Sequence, residues 1–277
     1  MVLDLFIRLG FVVGALVLVG LATIVGYERL RELREDWFAR TLSIVPEIGL
    51  LAVVLLVNAL AREFGPDLSW IIGLEITDPI YQLEGDFIVW VQSFASPPVT
   101  VYFSRMYVYG YAFLLVFPLL AYMALEDNRP LRTLVIAYAS NYLLGLLFYL
   151  VVIAYGPRNL LPDTVEPLLY STYPEYQNLT RQVNRNTNVF PSLHASLAAT
   201  VVLLAWRTRD TYPRWLPVSA AIAASVVVST MYLGIHWATD VVAGLVLAYV
   251  AVELAERVAD RRGRRTPFAD GLLERYG

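Results

Sequence analysis

The chain contains no cysteine and no lysine, and histidine occurs only twice, as His194 and His236. Without cysteine there is no disulfide framework, no thiol nucleophile and no thiolate metal site. Without lysine, all 21 basic residues are arginine, and any motif that needs an ammonium group is absent. Charge is scarce as well. Of 277 residues, 16% are charged and 58% hydrophobic, whereas a soluble domain is about a quarter charged. This balance excludes a disordered chain, a nucleic-acid binder and an ordinary soluble domain. The net charge of −3 names no partner.

In place of these, the sequence offers long apolar runs. A helix needs about 20 apolar residues to cross a hydrocarbon core of ~30 Å. Seven stretches are candidates: 5–25, 44–62, 99–124, 132–155, 193–207, 215–234 and 237–256. The fifth is short and reaches length only by starting at Pro191, a residue suited to a first helical turn. The first has no charged leader or small-residue cleavage site, and its positive charges follow the apolar run. It therefore reads as a membrane anchor rather than a cleaved signal. The expected fold is all-α, a polytopic membrane helical bundle. Residues 1–43 form an N-terminal transmembrane helix and linker, 44–256 a six-helix core, and 257–277 an arginine-rich tail. The tail reads as a stop-transfer segment and an anionic-lipid contact.

Arginine gives the bundle a side. Arg29, Arg31, Arg34 and Arg40 follow the first span; Arg129 and Arg132 follow the third; Arg207, Arg209 and Arg214 follow the fifth; the tail begins with Arg257 and Arg261. With seven spans these segments fall on one face, expected to be cytoplasmic, with the N-terminus outside. The opposite face holds 63–98, rich in acids, and 156–191. Within 63–98, Ile76, Ile80, Leu83, Phe87, Val91 and Phe94 recur every three or four residues. This periodicity predicts one amphipathic helix over 76–94, lying at the outer interface. It reads either as a packing helix that closes the bundle or as a lid over a lipid portal.

Both histidines fall at outer helix ends. His194 sits in the first turn of span five, within Pro191-Ser192-Leu193-His194. Helix N-termini favour anions. His236 opens span seven, and Asp240 follows four residues later, on the same helical face. A carboxylate there can hold one imidazole nitrogen and leave the other as a nucleophile. Either histidine alone reads equally as a polar cap at a membrane interface. Asp240 is harder to assign to a cap, because a carboxylate inside an apolar helix costs ~2.5–3.5 kcal/mol on insertion scales and needs a partner or a task. Loop 156–191 carries Arg158, Arg181 and Arg185 against the positive-inside trend. An arginine fork suits phosphate, and Arg158 is the best placed, at the end of span four. Asn186 and Asn188 precede the Pro-Ser-x-His turn and are suited to cap it. Tyr155, Tyr170, Tyr173 and Tyr176 read as an interfacial belt or a ligand wall.

Taken together, Pro191-Ser192-Leu193-His194 and Ser229-Thr230-Met231-Tyr232-Leu233-Gly234-Ile235-His236-Trp237-Ala238-Thr239-Asp240 resemble the second and third motifs of the type 2 phosphatidic acid phosphatase superfamily. The motifs are one helical hairpin apart and the likeness spans roughly 44–256. Thr230 replaces the arginine of the third motif, and the lysine-bearing first motif is absent. Phe190-Pro191-Ser192-Leu193-His194-Ala195 and Tyr232-Leu233 are more similar to the inositol phosphorylceramide synthase-like branch. The resemblance implies a membrane lipid phosphate as substrate, with no cofactor and no metal. It also implies His236 as nucleophile, Asp240 as its orienting carboxylate and His194 as general acid. Arg158, Arg181, Arg185, Ser192 and Ser229 are its phosphate-binding candidates. Water as acceptor gives a phosphatase, and an alcohol-bearing lipid gives a phosphotransferase. The haloperoxidases that share these motifs are soluble, which the apolar spans oppose. A non-catalytic transporter, with Asp240 as a relay, is the alternative of another class.

Overall fold

In the computed structural model, which describes residues 2–176 and 188–263, nearly every described segment outside the connections is helical. Helix α1 (Val2–Gly20) runs into a π-helical turn at Leu21–Val25. Helix α2 (Tyr27–Ser43) then meets α3 (Val45–Ile72). Two short helices follow, α4 (Thr77–Glu84) and α5 (Phe87–Gln92). The third long segment, Pro97–Met123, is α6 (Pro97–Arg105), a π-helical turn (Met106–Gly110) and α7 (Tyr111–Met123). Then come α8 (Arg129–Val151) and two short helices, α9 (Pro157–Leu160) and α10 (Leu168–Thr172). The chain finishes with α11 (Leu193–Arg207), α12 (Trp215–Tyr232) and α13 (Ala238–Gly263). The strand pair Leu74–Glu75 and Val152–Ile153 ties the ends of α3 and α8 together in parallel register.

Five helices among the described residues are long and apolar enough to cross a membrane. The pair Tyr27–Ser43 and Val45–Ala61, bent by 60°, makes up to a sixth. The fifth stretch of the sequence does not begin at Pro191 as expected. Its helix starts at Leu193 and has 15 residues, or about 22 Å at ~1.5 Å per residue. Helix α11 is shorter than the spans and largely interior: Ala195, Ser196, Leu197, Ala198, Thr200 and Val201 are all buried. Polar side chains bind it to α8. The Asn141 amide donates to Thr200 Oγ1 at 3.0 Å and the Ser196 hydroxyl donates to Asn141 Oδ1. Interhelical hydrogen bonds of this kind help hold helices together where lipid supplies no hydrophobic drive.

The arginine-bearing segments gather at one end. Arg40 donates to the Leu125 carbonyl at 2.7 Å, and Arg132 pairs with buried Glu47 at 3.2 Å. Arg129 pairs with Asp260 at 2.6 Å and Arg214 donates to the Thr23 carbonyl at 3.0 Å. Arg207 meets both Glu253 and Glu256. At the same end burial pushes the Tyr212 phenol up to about 12. It therefore stays neutral and donates to the Ala121 carbonyl at 2.7 Å. The two motif histidines lie at the other end.

The segment 76–94 departs from the expected single helix. It breaks at Gly85, whose φ of +53° is left-handed and accessible to glycine without a Cβ penalty. The break turns the two halves independently. Ile80 and Ile88 are buried, whereas Leu83 is 77% exposed. The helical periodicity of the apolar residues therefore runs through a point where no helix continues.

Candidate active site

Helices α11 and α13 approach so closely that only glycine fits between them. A Cβ on Gly244 would lie 2.5 Å from the Ser192 carbonyl oxygen. Beside it the Ser192 amide donates to the Asp240 carbonyl at 3.0 Å. This contact joins the two motifs, which are separated in sequence by a helical hairpin. Gly244→Val is expected to force the helices apart, at a cost of about 1–3 kcal/mol for overpacking, and to reduce activity together with thermal stability. A differential melting curve and an activity assay on the same preparation check this.

The resulting end of the bundle encloses a cavity of about 350 Å³. His194, His236, Arg158, Tyr107, Tyr111 and Tyr170 are among its lining residues. His236 Nδ1 faces Asp240 Oδ2 at 3.4 Å. The same oxygen accepts the Trp237 amide at 2.9 Å, the reciprocal half of a helix capping box. The carboxylate thus holds the ring at Nδ1, not at Nε2. Asp240 is fully buried, so its placement answers the energetic objection to a carboxylate in this helix: it has both a partner and a capping role.

His194 is held by two rings that the sequence did not single out. Tyr107 stacks on it with centroids 4.4 Å apart and planes 15° apart, and Tyr111 with centroids 4.2 Å apart at 32°. Two near-parallel rings this close fit only on opposite faces of the imidazole. Both tyrosines come from the π-helical turn and its exit. Such turns widen the local repeat and recur at functional sites.

Arg158 is placed by the backbone of the third motif, its amide donating to the Gly234 carbonyl at 3.1 Å. Its guanidinium lies over the Tyr170 ring at 4.7 Å, and Nη2 donates to the Tyr170 hydroxyl at 3.2 Å. Nη1 is buried with no hydrogen-bond partner among the described residues. An unpartnered buried guanidinium nitrogen is costly unless something binds it. Asn188 also lines the cavity and braces the turn before the second motif, accepting the Phe190 amide at 3.0 Å and donating to the Val152 carbonyl.

Ser192 and Ser229 are not among the residues that line the cavity. Ser192 is buried as the cap of α11, its hydroxyl oxygen accepting the Ala195 amide at 3.3 Å. Ser229 is buried in α12, and its hydroxyl donates to the Val226 carbonyl at 2.6 Å. Arg181, Arg185 and Asn186 lie outside the described residues. Among those residues no group of three or more His, Asp or Glu side chains could hold a metal ion.

The fold and this end of the bundle define a polytopic helical membrane protein with a carboxylate-oriented histidine, a second histidine and an arginine around one cavity. The profile of the PAP2 superfamily matches residues 81–254, and the chain belongs to that superfamily. Its members are generally phosphatases and phosphotransferases. The chain is also similar to the uncharacterized protein MJ0662 of Methanocaldococcus jannaschii, 23% identical over 205 residues, which cover 73% of this chain and 80% of the relative. No solved structure matches.

Proposed function

We propose that the protein is an integral membrane phosphoric-ester hydrolase that acts on a lipid phosphate through a phosphohistidine. The observation that carries this reading is the one cavity shared by His236, backed by Asp240, with His194 and with Arg158, whose Nη1 has no partner among the described residues. His236 Nε2 attacks phosphorus as the bond to the ester oxygen breaks, and His194 gives its proton to that oxygen. Water then attacks the phosphohistidine, His194 takes the water's proton, and phosphate leaves with His236 restored. Throughout, Asp240 accepts a hydrogen bond from the Nδ1–H, which stays on the ring, and balances the charge that the phosphorylated imidazole carries. Arg158 stabilises the oxygens on phosphorus, where phosphoryl transfer draws most of its help.

The site lies at the end opposite the arginine-bearing segments. This supports an extracytoplasmic site, an external N-terminus and a cytoplasmic C-terminus. Head-group transfer to an alcohol is the second reading. The Phe190–Ala195 and Tyr232-Leu233 sequences favour the inositol phosphorylceramide synthase-like branch, and the cavity has room beyond a phosphate group.

The test is phosphate release from a panel of lipid phosphates in EDTA, with and without an added alcohol acceptor. Hydrolysis of at least one lipid phosphate is expected in EDTA; no release and no transfer from any of them contradicts the proposal. A phosphodiester product formed only with alcohol moves the assignment to transfer. Arg158→Ala is expected to raise KM about 10–100-fold, the equivalent of one charge-assisted hydrogen bond at ~1.5–3 kcal/mol. Arg158→Lys should recover little of it, because a point charge does not replace the fork. Initial-rate kinetics on the two purified variants check both.

A further inference from the structure

The start of α13 presents three successive amides that a helix cannot satisfy by itself. Trp237 gives its N–H to Asp240 Oδ2 at 2.9 Å. The next two go to a residue more than 150 positions earlier. Ala238 donates to Glu84 Oε2 at 2.9 Å and Thr239 donates to Glu84 Oε1 at 2.6 Å. Glu84 ends α4, next to the left-handed Gly85. One turn back on the same helix, the Tyr81 ring meets the Trp237 ring at 6.1 Å. Trp237 is itself fully buried, its indole N–H donating to the Tyr155 carbonyl at 2.8 Å. Residues three apart share a helix face, so one face of α4 grips Trp237, Ala238 and Thr239, the three residues that follow His236.

We propose that Glu84 is a positioning residue for the His236–Asp240 pair. Its carboxylate fixes the first turn of α13 and so the angle at which His236 enters the cavity. It does a second thing by the same contact. A helix N-terminus attracts anions, and here the protein's own carboxylate fills that position. The substrate phosphate is thereby left to Arg158, the one guanidinium among the described lining residues. This inference rests on the catalytic reading of His236 given above.

The experiment measures the rate and amplitude of phosphoenzyme formation in full-length protein, using radiolabelled phosphatidate in detergent micelles and acid-stable controls for free lipid. Glu84→Gln keeps the shape and one acceptor oxygen but turns an amide N–H₂ toward a backbone N–H. It is expected to slow phosphoenzyme formation about 5–20-fold while the amplitude and the KM stay at the wild-type values, with only the small fall in melting temperature that one lost cap bond brings. Glu84→Asp, still charged but reaching only one amide, is expected to lie between. A purely structural cap would lower the amplitude and melting temperature and leave the rate of the surviving sites unchanged; that result overturns the proposal, as does a wild-type rate in the Gln variant. If the Gln variant yields too little folded protein, Glu84→Asp decides by the same two numbers. His236→Ala serves as the reference. When it forms no phosphoenzyme and Glu84→Gln is normal, only the role of Glu84 fails. When it forms phosphoenzyme like the wild type, the catalytic reading fails with it.

Discussion

His236→Ala is expected to lower phosphate release from a lipid phosphate by about four orders of magnitude or more, the scale on which removal of a covalent nucleophile acts elsewhere. No neighbour can take over. Among the residues that line the cavity, the other imidazole is His194, and its ring is pinned between Tyr107 and Tyr111. The substitution leaves the capping bond from the Trp237 amide to Asp240 in place, so the fold should survive. Purified variant and wild type, compared by phosphate release and by thermal melting, check the two halves of this expectation. A variant that releases phosphate near the wild-type rate removes His236 from the reaction.

His194→Ala is expected to act differently, and the difference identifies its role. General-acid help is worth about 10²–10⁴-fold, and it matters most where the departing oxygen is a poor leaving group. A lipid alcohol is such a group; p-nitrophenolate is not. Phosphoenzyme formation in the variant should therefore slow about 10²-fold or more with a lipid phosphate and much less with p-nitrophenyl phosphate. The second step also suffers, because His194 takes the proton of the attacking water, so phosphoenzyme should persist longer. Equal losses in the rate of phosphoenzyme formation on the two substrates would show that His194 binds rather than transfers a proton. Tyr107→Ala removes one wall of the clamp and gives a milder form of the same pattern.

Much of this molecule is legible in its sequence, and the reasons are physical. Five spans could be read because hydrocarbon demands long apolar runs, and the arginine-bearing segments do collect at one end. The His236–Asp240 pair is as expected, but not as two residues on one helical face: α13 starts at Ala238, so His236 precedes the helix and meets Asp240 where that carboxylate caps the first turn. Arg158 could be read from its place at the end of a span. What the sequence does not show depends on long-range contact. Glu84 is one acid in a run of acids, and nothing local says that its carboxylate reaches the start of α13. Tyr107 and Tyr111 look like belt residues, since no pattern announces the π-helical turn that aims them at His194. The break within 76–94 carried a signal, the Glu84-Gly85-Asp86 sequence, which the regular apolar spacing masked. Ser229 occupies its motif position, yet within a helix its hydroxyl goes to the Val226 carbonyl, a local bond that competes with any ligand. The start of α11 at Leu193 follows from the Ser192 cap, which stops the helix from reaching back to Pro191.

The most direct measurement is chemical capture of the intermediate. Wild-type protein is mixed with radiolabelled lipid phosphate, quenched within the first turnover, digested under alkaline conditions and mapped. The expected result is one labelled peptide, acid-labile and base-stable, carrying the phosphoryl group on the imidazole of residue 236. Phosphate release that proceeds with no labelled protein at any time point, or a label on another side chain, contradicts the account.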